Sequence, residues 1–205
     1  MPEIARLIAP KLSSHATVTD VGSVKTPVVS ELEKILGGRF VGSHPMAGSE
    51  QSGLNSARAN LFEDAACIIT PTQRSEEAAL KKVRELWQAI GARLIEMSPA
   101  SHDATIARVS HLPHAVSAAL VLAVHQGAPN ALALAGGGYR DTTRIAAGPP
   151  SMWTEIFLEN RTGLAAGLED MKTQLDLMKQ LILAGDAGAL EALLTNAKDI
   201  RATLP

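Results

Sequence analysis

The sequence predicts an α/β half followed by an all-helical half, with the change near Ser98. Two observations carry this expectation. Short β-favouring runs at Val18, Phe40, Cys67-Ile68-Ile69 and Arg93-Leu94-Ile95 alternate with helical stretches over Thr26 to Leu36 and Ser75 to Ile90, the alternation of an α/β sheet. After Ser98 nearly every segment has helix-forming composition.

Taken in order, Pro2 to Leu12 reads as a helix, and Ala16-Thr17-Val18-Thr19 as a strand leading into Asp20-Val21-Gly22-Ser23. Gly38-Arg39-Phe40-Val41-Gly42 leads likewise into His44-Pro45, each run stopping at glycine or proline. Ser23 and His44 are therefore expected on loops beyond the carboxyl ends of strands, where open α/β sheets bind ligands. Ser101 to Gln126 is a long segment rich in alanine, leucine and valine. A helix apolar on most of its circumference must be covered, by neighbouring helices or by a second subunit. Pro113 has no N–H to offer the carbonyl of Val109, so a kink is expected there. Asp103, Ala107, Ser110 and His114 recur at spacings of four, three and four, which puts them on one helical stripe. Helices are then expected over Met152 to Gly163, Leu164 to Ala184 and Ala187 to Thr203.

Composition limits the possible functions. A chain of 205 residues with 46% apolar content can bury a sizeable core. A net charge of −2 and a pI near 6.3 give no nucleic-acid footprint, so a small ligand is expected. Cys67 is the single cysteine, excluding an internal disulfide and suiting a reducing cytoplasm. Ala115 to Val124, the longest apolar stretch, falls short of the roughly 20 residues that cross a bilayer, and Met1 opens no signal peptide. No membrane and no metal are expected as partners.

Several residues could carry chemistry, each with a plainer reading. His44 alone reads equally as a surface residue or as support for another group, and Ser23 as a helix cap. Arg140 and Arg144 offer planar forks that grip carboxylates, although surface ion pairing is the default for both. Asp141 or Glu155 could pair with Arg140, and Trp153 reads as core or as a pocket wall. His111 and His114 could simply fill polar gaps in a helical core.

Four motifs in order, Asp20-Val-Gly-Ser-Val-Lys25, His44-Pro-Met-Ala-Gly-Ser-Glu50, Ser110-His-Leu-Pro-His114 and Arg140-Asp-Thr-Thr-Arg-Ile-Ala146 with Met152-Trp153, resemble the prephenate dehydrogenase family over almost the whole chain. One departure accompanies the match. Family members open with a strand, a G-x-G-x-x-G turn and a helix that cradles the dinucleotide pyrophosphate, and this sequence contains no such turn. The resemblance thus implies residues 1–98 as the later portion of a Rossmann-type nucleotide domain, Pro2 to Leu12 being its last helix before a late strand. It implies residues 99–205 as an all-helical substrate and dimerisation domain.

The implied activity is oxidative decarboxylation of prephenate with hydride transfer to NAD, in tyrosine biosynthesis, by a cytoplasmic homodimer. An arogenate or cyclohexadienyl dehydrogenase is the related alternative, and a non-catalytic substrate-binding and dimerisation module the other. NAD against NADP depends on a residue after the second strand of the full domain, which has no counterpart here. By the same resemblance His44 takes a proton from the substrate, oriented by Ser23. Ser110 and His114 line the ring side, and Arg144 holds a carboxylate. Ser49 and Glu50 contact substrate or gate entry, with helix capping as the alternative for Ser49, and Asp20, Gly22, Ser23 and Pro45 lie along the cofactor. His111, placed on another face, reads as structural.

Overall fold

Helices α1 (Pro2–Ile8) and α2 (Thr26–Leu36) bracket a two-residue strand β1 (Val18–Thr19), followed by β2 (Phe40–Pro45) and β3 (Ala66–Thr70). Then come α3 (Glu77–Ala89) and β4 (Arg93–Glu96). The computed structural model describes residues 1–47 and 57–204. Ser49 and Glu50, and the helix expected to start near Ser52, lie outside the described residues.

The strands form one mixed sheet in the order β1-β2-β3-β4, with β1 parallel to β2, β2 antiparallel to β3, and β3 parallel to β4. Successive strand residues face opposite sides, and β2 shows what this does. Phe40 packs with Ala5, Val29, Leu32 and Leu36 under α1 and α2, whereas Val41 joins Cys67, Ile69, Leu80, Val83 and Trp87 under α3. The sheet is thus covered on both faces. Gly42 permits this closeness, because a Cβ there would lie 2.5 Å from Thr70 Oγ1 and 2.8 Å from Val29 Cγ2.

His44 and Pro45 were expected in a loop, but they are the last two residues of β2. The antiparallel partner carries the ladder further, pairing His44 with Ile68 and Pro45 with Cys67. Strand β1 pairs only with Phe40 and Val41. Beyond Val41 the side chains of Asp20 and Lys25 take a strand's place on that edge, bonding the Ser43 N–H and carbonyl, and among the described residues no strand pairs with Pro45 there, where a proline that cannot donate does no harm.

The helical part comprises α4 (Pro99–Ile106), a π-helical turn (Ala107–His111), α5 (Leu112–Gly127), α6 (Gly137–Thr143), α7 (Pro150–Glu159), α8 (Arg161–Ala184) and α9 (Ala187–Ala202). Ser98 caps α4 by accepting from Ser101 N at 3.1 Å, with Pro99 in the first turn. The kink expected at Pro113 is the π turn just before it. The break expected at Gly163 falls at Asn160, whose backbone leaves the helical region and whose side chain turns inward.

The run Pro99–Gly127 is 29 residues long with an 18-residue window of mean hydropathy 1.3, so by length and composition it could cross a membrane. The apolar stretch Ala115 to Val124 lies within this run, bounded by His114 and His125. Its buried side carries His102, Asp103 and His111, each hydrogen-bonded to other parts of the chain.

By compactness the chain divides into Met1–Leu164 and Ala165–Pro205. In the second unit Gly185, at φ 65°, makes the left-handed turn that ends α8, and Asp186 caps α9 by accepting from Ala189 N. Leu175, Ile182, Leu183, Leu194 and Ile200 of that unit are exposed.

Candidate active site

The site is built on the carboxyl ends of β1 and β2. After β1 the chain turns through Asp20 to Lys25, and the Asp20 carboxylate organises the turn. One oxygen accepts from Gly22 N at 2.8 Å and from the Lys25 ammonium, and the other from Ser43 N at 3.1 Å. Lys25 is fully buried and also donates to the Ser43 carbonyl at 2.8 Å. Burial pulls its pKa down, and the Asp20 carboxylate opposes that pull. Ser43 faces α3, with its hydroxyl 3.1 Å from Trp87 Nε1, so His44 faces the other way, toward α4.

There His44 Nδ1 lies 2.9 Å from His102 Nε2, and His102 Nδ1 lies 2.7 Å from Asp103 Oδ1. Asp103 also accepts the backbone N–H groups of Lys25 and Thr26, both at 2.8 Å. Burial raises the Asp103 carboxyl, but donation by His102, Thr26 and Lys25 outweighs it and holds the group below the usual carboxylate range. His44 is driven down to about 3, chiefly by burial and then by His102 and Lys25. It is therefore a neutral imidazole near pH 7.

A cavity of about 430 Å³ opens beside His44, within the usual range for a small-molecule site. Its lining brings together Ser23, Ser110, His111, His114, Arg144 and Trp153. Trp153 is a half-buried wall: its ring stacks on His114 at 3.6 Å and 14°. Pro45 also lines the cavity, whereas Asp20 and Gly22 serve the turn behind it. Arg140 is exposed and is not among the lining residues.

His111 was read as structural, yet it lines the cavity. Ser110 and His111 lie in the π turn and His114 one turn further on, and all three reach the same space. Asn160 donates to His111 Nδ1 at 3.2 Å, placing the ring's proton on Nε2. Burial lowers His111 to about 4 and lowers His114 as well. Among the described residues His111 Nε2 and His114 Nδ1 have no hydrogen-bond partner, although both are buried.

Sequence reasoning also missed His102, Asp103 and Lys25 as parts of the site. The signals were the stripe that Asp103 shares with Ser110 and His114, the Lys25 that closes the first motif, and the adjacent His-Asp pair early in the long helix. Nothing in its spacing shows that it reaches His44, 58 residues away.

An α/β layer joined to a helical part, with a histidine-lined cavity beside the strand ends, is the arrangement of a two-part nucleotide-binding protein. Two family models match, "Prephenate dehydrogenase, nucleotide-binding domain" over residues 1–96 and "Prephenate dehydrogenase, dimerization domain" over residues 98–196. The structure of prephenate dehydrogenase from Aquifex aeolicus in complex with hydroxyphenyl propionate and NAD+ is 43% identical, with a TM-score of 0.92 over 98% of this chain and 71% of that one. Synechocystis arogenate dehydrogenase is 34% identical, with a TM-score of 0.86 over 98% of this chain and 73% of that one. Prephenate dehydrogenase of Bacillus subtilis is 38% identical over 92% of this chain and 52% of its own length. The chain belongs to the prephenate dehydrogenase family. It spans about half the length of the Bacillus subtilis relative.

Proposed function

We propose that the chain carries the substrate site of an NAD-dependent prephenate dehydrogenase, which oxidatively decarboxylates prephenate to 4-hydroxyphenylpyruvate. The supporting observation is that one cavity gathers Ser23, His44, Ser110, His114 and Arg144 from four separated segments. Prephenate has a ring hydroxyl, a ring carboxylate and a side-chain carboxylate, and the site offers an imidazole for the first and cationic or N–H donors for the others.

His44, neutral and with Nδ1 engaged, presents Nε2 as acceptor for the ring hydroxyl, and Ser23 beside it orients that hydroxyl. Arg144 grips a carboxylate, Ser110 and His114 line the ring side, and Trp153 walls it. Loss of hydride from the hydroxyl-bearing carbon lets the ring expel carbon dioxide and become aromatic.

The residues present fit the nicotinamide end of the cofactor, because Ser23 and Pro45, at the ends of parallel β1 and β2, share the cavity with His44. NAD bound there would supply the hydride acceptor. Asp20 and Gly22 shape the turn that it would lie along, while the 205 residues contain no G-x-G-x-x-G turn for its pyrophosphate.

Similarity to arogenate dehydrogenase, and to the 33% identical cyclohexadienyl dehydrogenase of Zymomonas mobilis, supports a second reading in which the pocket also takes an amino group in place of the keto group. The functional division at residue 98, a cytoplasmic location and a homodimer that covers the exposed apolar helix faces, rather than lipid, belong to the same proposal. Calorimetry with NAD and prephenate, singly and together, tests it. Binding of both, with turnover that falls at least about 100-fold in His44→Asn, supports an enzyme. Prephenate binding alone makes the chain a substrate and dimerisation module, and binding of neither overturns the reading.

A further inference from the structure

Two imidazoles joined by one hydrogen bond share a single proton between them. The carboxylate of Asp103, already accepting two backbone N–H groups, takes the Nδ1 proton of His102 as a third. His102 Nε2 is then the acceptor and His44 Nδ1 the donor, leaving His44 Nε2 bare. The other arrangement, with Nε2–H of His102 donating, needs a second proton on a ring that is fully buried.

We propose that His102 and Asp103 are positioning residues for His44. They hold it with Nε2 bare, and they take over its Nδ1 proton when Nε2 accepts the proton of the substrate hydroxyl. This rests on the dehydrogenase reading above. The step balances: the substrate O–H bond breaks as an N–H bond forms at His44 Nε2, and the His44 Nδ1–H bond breaks as one forms at His102 Nε2. The hydride would pass to a bound dinucleotide, which the dehydrogenase reading supplies. His44 ends neutral in its other tautomer, and the positive charge rests on His102 against the Asp103 carboxylate.

The surroundings of His44 call for such an arrangement. A ring whose pKa is pushed down to about 3 cannot itself keep a proton, and the cationic Lys25 from the β1–α2 turn and His111 from the π turn both oppose a charge there. Among the described residues that act on it, Asp103, beyond His102, favours one. Passing the proton outward by one ring places the charge 2.7 Å from a carboxylate.

The first test is histidine-selective ¹⁵N NMR of the 205-residue chain, which requires no turnover. At neutral pH His44 should show a protonated Nδ1 and a bare Nε2, with the His102 proton on Nδ1. A protonated Nε2 at His44 overturns the proposal. The second test is His102→Gln, whose side-chain oxygen can accept from His44 but cannot bind a second proton. We expect kcat to fall about 100-fold with KM little changed, and the acid limb of the kcat profile to move to lower pH. In a His44→Asn background the same substitution should cost nothing more. An unchanged kcat and pH profile in a variant of native melting temperature overturns the proposal. Absence of prephenate turnover in the unsubstituted chain strikes at the dehydrogenase reading alone, because the tautomer measurement still decides between the two proton arrangements.

Discussion

Arg144 shows how much depends on side-chain shape. The guanidinium offers two parallel donors to a carboxylate, whereas a lysine in its place keeps the charge but loses the fork. Arg144→Lys should therefore raise KM for prephenate about tenfold or more while leaving kcat nearly intact, and steady-state kinetics would show the split. An equal loss in kcat would place Arg144 in the chemistry rather than in binding. Ser23, His44, Ser110, His114, Arg144 and Trp153 were all legible in the sequence because local motifs surround each. His102 and Asp103 were not, since their importance comes from a hydrogen bond that spans 58 residues and from caps that span more.

Among the elements, β2 and the π turn set the geometry. In β2 a methyl group at Gly42 has nowhere to go, with Thr70 on one side and Val29 on the other. Gly42→Ala should destabilise the fold by about 1–3 kcal/mol, read as a drop of several degrees in melting temperature. At the π turn, Pro113 withholds the N–H that would close a regular turn onto Val109. Pro113→Ala should let an α-helical bond form, rotating Ser110 and His111 away from the cavity and weakening prephenate binding without lowering the melting temperature. Calorimetry on a fully folded variant checks this, and unaltered affinity would mean that packing, not proline, maintains the turn. The helix itself was evident from its composition. Its wide turn was not, because a π bulge depends on which backbone bond fails to form, and periodicity assumes that none does. The strand position of His44 escaped for a similar reason: the partner that prolongs β2 is an antiparallel strand more than twenty residues further along.

For the whole molecule the buried imidazoles link protonation to stability. His44 and His111 have folded values of about 3 and about 4, below the unfolded value near 6.5, and His114 is lowered too. Above pH 6.5 neither state binds these protons and stability is at its full value. As pH falls through 6.5 the unfolded chain takes up protons that the folded chain refuses, so stability declines until the folded values are passed. Melting temperature should fall steadily between pH 7 and pH 4, and replacing His44 with Asn should flatten that fall; a flat profile in the unsubstituted chain would contradict the burial of these rings. Sedimentation should show a dimer, since Leu175, Ile182, Leu183 and Ile200 otherwise leave apolar surface in water. The two-part architecture was legible because the composition changes abruptly near Ser98.

The carboxylate of Asp103 holds the backbone of Lys25 and Thr26 at the start of α2 although it lies 78 residues later, beyond the junction of the two family domains. It acts as a stitch across that junction, tying the floor of the cleft to the first turn of α2. Interchange of halves between relatives is constrained in the same way: a chimaera joined near residue 97 inherits a working cleft only if its helical half supplies a carboxylate that reaches the first turn of the other half's α2.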